Sequence, residues 1–184
     1  MPILPLSMVS VSLLEKIAQG NEGAFDELFQ SCFTPVYRYA YARLGYRELA
    51  EDIAQTVFSK AWTARDRYED RGRPPLAYLF TIARNAIIDF QRRKDAMAMP
   101  YADMALLAVA DEANDPVRMA QQTENAKTVR AMLMGLPEDQ RDIILLRYIA
   151  ELSYAEMAEV TGKTEEALRK TVSRTIHELR QRTI

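Results

Sequence analysis

Apolar side chains recur every three or four positions through most of the 184 residues, the spacing of helices that bury one face. Residues 13–19 predict a short helix stopped at Gly20. Asn21 is placed to cap a second helix, with Ala24, Phe25, Leu28 and Phe29 on its apolar side. Pro35 predicts a fresh helix start, running through the tyrosines to Leu44 and ending at Gly45. A longer helix is expected over 47–65, where Ala50, Ile53, Ala54, Val57, Phe58, Ala61 and Trp62 make a wide stripe. The run RYEDRGRPP, 67–75, reads as a charged loop. Beyond it, 76–94 predicts a helix whose Leu79, Ile82, Ala83, Ala86 and Phe90 pack on helix 47–65. Burying a Leu or Phe is worth roughly 1.5–3 kcal/mol, enough for that stripe to anchor the helix. Thr81, Arg84, Asn85, Ile88 and Arg92 then point outward.

The pattern fails over 96–125, which contains Pro100 and Pro116 and reads as a linker with one short helix at 102–109. Its methionines and leucines could dock in a groove on a partner. Helical periods resume at 124–134, 138–149, 153–160 and 165–181. Ser153 and Glu156 form a capping-box pair, Gly162 permits a turn, and Thr164 can cap the last helix. In that helix Leu168, Val172, Ile176 and Leu179 share a stripe. Glu166, Arg169, Lys170, Ser173, Arg174 and His177 lie opposite, where a helix-turn-helix would offer them to a major groove. No strand and no fixed repeat is apparent, so the fold class is all-α.

Charge sharpens this picture. Residues 76–94 carry four basic side chains and one acidic, and 164–184 carry five and three. Between these islands, 95–127 carries two basic and six acidic. A molecule of net charge −2 built this way should bind DNA weakly alone, because its acidic remainder repels phosphate. Either island taken singly fits an ordinary solvated helix face as well as a nucleic-acid surface. The single cysteine, Cys32, excludes an internal disulfide and fits a reducing compartment. The start, MPILPLSMVSVSLL, lacks a positive leader and cleavage site, so a cytoplasmic chain without membrane insertion is expected. One histidine and one cysteine supply neither a metal cluster nor a nucleophile–base pair, so no catalytic residue, metal site or cofactor is expected.

Four stretches resemble one family. AQGNEGAFDELF, ELAEDIAQTVFSKAW, LAYLFTIARNAIIDFQRRK and LPEDQRDIILLRYIAELSYAEMAEVTG occur in the order and spacing of the extracytoplasmic-function (ECF) sigma factors. These are small sigma-70-like promoter-specificity subunits of bacterial RNA polymerase. The resemblance implies a tail at 1–12, sigma domain two at 13–95, a flexible linker at 96–125 and sigma domain four at 126–184. It implies core RNA polymerase, promoter DNA and an anti-sigma factor as partners. Domain two would read and melt the −10 promoter element, and domain four would read the −35 element.

Particular roles follow from the same likeness. Arg84 and Asn85 would face −10 DNA beside Ile88, with Arg84, Arg92, Arg93 and Lys94 on phosphates. The loop before that helix would trap a flipped base, with Tyr68, Arg71 and Arg73 as contacts. Asp52, Gln55, Thr56, Ser59 and Lys60 would meet a coiled coil of the largest polymerase subunit. Thr56 departs from the family, where an acidic residue is common, and Ala167 and Thr171 replace commonly polar or basic side chains. The −35 sequence therefore cannot be copied from relatives. Two other readings compete: a sigma mimic that sequesters an anti-sigma factor without touching DNA, and a stand-alone regulator using only 153–181. The mimic sits poorly with the retained Arg84, Arg92 and Arg93, and the regulator leaves 13–95 unexplained.

Overall fold

The computed structural model describes residues 11–67, 75–96, 128–129 and 131–181, and among them there is no strand. Helix α1, Val11–Ala18, precedes α2, Glu22–Leu44, and α3, Arg47–Thr63. A 3₁₀ turn, Arg65–Arg67, leads toward α4, Pro75–Ala96. The second half holds α5, Glu138–Tyr148, α6, Tyr154–Thr161, and α7, Glu165–Gln181.

Local chemistry sets most boundaries. The Asn21 side chain accepts from Ala24 N at 2.9 Å and starts α2. Gly45 ends it in the left-handed region at φ 79°, returning its N–H to Tyr41 O. The expected break at Pro35 does not occur, because α2 runs straight through it. Proline in a helix interior forfeits one hydrogen bond and costs about 3 kcal/mol. Here Leu28, Cys32, Val36 and Tyr39 continue one buried face across the proline, and their burial outweighs that loss.

Helices α2, α3 and α4 pack on one another, with α1 laid against α2. Leu79, Phe80, Ala83 and Ile87 of α4 are fully buried, and Phe80 meets Tyr39 edge-on with ring centroids 5.6 Å apart. Helices α5, α6 and α7 form a second cluster around Leu145, Leu146, Leu152, Met157 and Leu168. The two clusters touch: α4 packs on α6, and α2 on α5.

Cys32 lies wholly inside the first cluster, and burial pushes its thiol from the ordinary 9.0 up to about 12. The unfolded chain therefore loses this proton first. The stability that the buried thiol contributes is complete below pH 9.0 and is lost as pH climbs toward about 12. Cys32→Ala should flatten the alkaline decline by up to about 1.4 kcal/mol per pH unit, read from urea unfolding across that window.

Candidate nucleic-acid interface

Helix α4 presents the first cationic surface. Asn85, Arg92 and Arg93 are exposed along it. Exposed Asn85 carries both a donor and an acceptor, so it can match a base edge, and the two arginines can hold phosphates. Ile88 is half-buried and lines a cavity of about 390 Å³ with Arg43, Arg84, Arg92, Glu138 and Asp142. The side chain of Lys94, together with Tyr68, Arg71 and Arg73, lies outside the described residues.

Arg84 behaves differently from its neighbours. Its side chain is 23% exposed, and Nε donates to Asp142 Oδ2 at 2.7 Å. Asp142 is 3% exposed and also accepts from the Tyr39 hydroxyl, at 2.6 Å on Oδ1. Burial and the nearby Asp142 carboxylate hold that hydroxyl well above the usual phenol range, so it stays a donor. Burial opposes the Arg84 charge, but its hydrogen bond and ion pair with Asp142 more than offset this, and its pKa is raised. Arg43, its side chain 2% exposed, completes the group, with Nη2 donating to Glu138 at 3.0 Å and to Gln91 at 3.2 Å.

The second cationic surface is α7. Its entry is built as the sequence predicts. Ser153 accepts from Glu156 N, while Glu156 Oε2 accepts from Ser153 N at 2.7 Å. Gly162, at φ 71°, closes α6, and Thr164 Oγ1 accepts from Ala167 N at 3.2 Å to open α7. Leu168, Val172 and Thr175 are buried, which turns Glu166, Arg169, Lys170, Ser173, Arg174 and His177 to the outside, all exposed. Arg169 pairs with Glu165 and lies 4.6 Å from the centre of the Tyr154 ring. Lys170 pairs with Glu166 at 2.6 Å, and His177 shares a hydrogen bond with Gln181. Phosphate approaching this face can take up Arg174 directly, and it competes with carboxylates for Arg169 and Lys170.

On α3, Asp52, Gln55, Ser59 and Lys60 are exposed and Thr56 is half-buried. Beside them lies an aromatic patch that the periodicity had counted as core. Phe29 is 38% exposed and meets Phe58 edge-on, with ring centroids 4.8 Å apart, and a tilted Phe33 at 5.0 Å, while Phe25 meets Trp62 at 4.8 Å. A groove of about 500 Å³ runs past Phe25, Phe29, Gln55, Phe58, Ser59 and Trp62. The sequence signal for it was an excess of rings over what one buried stripe on α2 can absorb. Asp142 and Arg43 were missed too, though a carboxylate inside the apolar run DIILL was itself a cue.

Among the described residues the helices carry two exposed cationic faces, on α4 and α7, and a third, partly apolar face on α2 and α3. Sigma-70 region 2 matches residues 28–97, and Sigma-70 region 4 matches 126–179. The chain is 32% identical to the ECF RNA polymerase sigma factor SigD of Mycobacterium tuberculosis over 174 residues, 92% of this chain and 81% of that one. It is 30% identical to SigW of Bacillus subtilis, covering 90% of this chain and 97% of that one. The solved structure of CnrH with the cytosolic domain of CnrY shares the fold, at TM-score 0.67 and 24% identity over 92% of this chain and 94% of that one. The chain belongs to the ECF RNA polymerase sigma factors.

Proposed function

We propose that this chain directs promoter recognition and DNA melting as a non-catalytic subunit of bacterial RNA polymerase. One observation carries the reading: two exposed cationic helix faces, on α4 and α7, stand in a chain aligned over 92% of its length with an ECF sigma factor. Asn85, Arg92 and Arg93 engage the −10 element, and Arg84 joins them when it is free of Asp142. Arg169, Lys170, Ser173 and Arg174 engage the −35 element. The Asp52, Gln55 and Ser59 edge, with the aromatic groove, docks on core polymerase. A cavity of about 590 Å³ formed by Ser59, Lys60, Thr63, Asp66, Tyr78 and Ile82 lies between α3 and α4 and suits an unstacked base. An anti-sigma factor is the regulatory partner, and the chain works in the cytoplasm with polymerase. No helix among the described residues is long and apolar enough to cross a membrane.

The test is initiation in vitro. Purified protein added to core polymerase should start transcripts at discrete promoters of its own genome. Transcription no better than core alone on all of them would refute the assignment.

A further inference from the structure

Tyr154 opens α6, the first helix of the helix-turn-helix, and the Ser153–Glu156 capping box fixes that start. Its half-buried ring carries two guanidinium groups, Arg147 of α5 at 5.0 Å from the ring centre and Arg169 of α7 at 4.6 Å. Arg147 is tied down, because its Nη1 donates to Leu152 O at 2.7 Å. Arg169 is the exposed member of the trio, its side chain 58% open. We propose that Tyr154 is a positioning residue: its ring holds Arg169 ready to read one base of the −35 element, which makes Arg169 the base-reading cation of α7 and leaves Lys170 and Arg174 to phosphates. This rests on the assignment of α7 to the −35 element.

The ring decides what Arg169 offers. A guanidinium held over an aromatic face keeps its N–H donors free for acceptors at its edge. Glu165 takes a donor on Nη2 and holds the side chain from a second direction. The remaining donors form the fork that matches guanine O6 and N7. A long side chain fixed before binding loses less rotamer freedom when the contact forms, so the platform favours the correct base over a merely charged surface.

The neighbouring cations are supported differently. Among the described residues neither Lys170 nor Arg174 lies over a ring. Lys170 meets the Glu166 carboxylate at the end of a flexible stem, and its ammonium is a point charge that suits phosphate. Position agrees with this division. In a helix-turn-helix the first residues of the second helix meet base edges, while the first helix crosses the backbone. Arg169 lies in the opening turns of α7, and Arg174 stands more than a turn further along.

The experiment uses holoenzyme reconstituted with the full chain. Its probe is a pool of duplexes of one promoter that the wild type transcribes, randomised across the −35 element, and the bound fraction is sequenced. Wild type should favour guanine at one position by about tenfold, and Arg169→Ala should erase that preference. Tyr154→Leu should cut the same preference about three- to fivefold while the other positions and the salt slope of binding hold. Tyr154→Phe keeps the ring and should retain the preference. In an Arg169→Ala background, Tyr154→Leu should change nothing further. If Tyr154→Leu loses its helical circular dichroism, Tyr154→Met decides on the same readings. Full preference in the folded variant overturns the proposal, as does a −35 preference that survives Arg169→Ala. An equal loss in Tyr154→Phe also overturns it, by assigning the effect to the hydroxyl. A wild-type pool with no preference at any −35 position overturns the assignment of α7 itself.

Discussion

Holoenzyme carrying Arg92→Ala and Arg93→Ala should open promoter DNA about ten- to a hundredfold less well than wild type at physiological salt. Both side chains are exposed at the end of α4; Arg92 borders the Asp142 cavity, but the side chains bonded to Asp142 are Tyr39 and Arg84. Each phosphate contact releases condensed counterions and adds about 0.7 to 0.9 to the slope of log affinity against log salt. The double variant should therefore lower that slope by about 1.4 to 1.8. Neither arginine contributes to the buried core, so helical content and melting temperature should hold. Filter binding and open-complex formation across a salt series measure both quantities. A sigma mimic would show indifference to the change.

Phe80→Ala should cost about 3–5 kcal/mol of folding stability, a large share of the roughly 5–15 kcal/mol available to a domain. Phe80 is fully buried and supports Tyr39 edge-on. Truncation removes contact area and leaves a void that the α2–α3–α4 packing cannot close without shifting Tyr39. That shift would also disturb the hydroxyl that donates to Asp142 at 2.6 Å. Thermal unfolding followed by circular dichroism should show the midpoint lowered by about 10 °C.

Much of the fold was legible because its signals are local. Asn21, Gly45, Ser153 with Glu156, Gly162 and Thr164 each act within four residues of themselves, and all sit where their chemistry placed them. The exposed row on α7 was legible for the same reason: Leu168 and Val172 define a buried stripe, and the opposite residues follow from helical geometry. Pro35 misled because a local rule met a tertiary fact, the continuous burial of Cys32 and Val36 around it. Arg84 was expected to point outward with Asn85 and Arg92. Periodicity gives one buried face, but α4 buries two, one toward α3 and one toward α6. The partner that draws Arg84 in, Asp142, is 58 residues away, and no pattern within either helix encodes that pairing. The aromatic groove escaped for a related reason. A phenylalanine at a core-facing spacing does not say whether a third helix covers it, and Phe29 is left partly open.

The most direct test of the central claim is permanganate footprinting of a promoter bound by the reconstituted holoenzyme. Unpaired thymines react and stacked ones do not. Wild-type protein should give reactive thymines confined to the −10 region, and Asn85→Ala with Arg92→Ala should abolish them while polymerase remains bound. Equal reactivity in that variant, or none in the wild type at a promoter it demonstrably transcribes, would contradict the role given to α4.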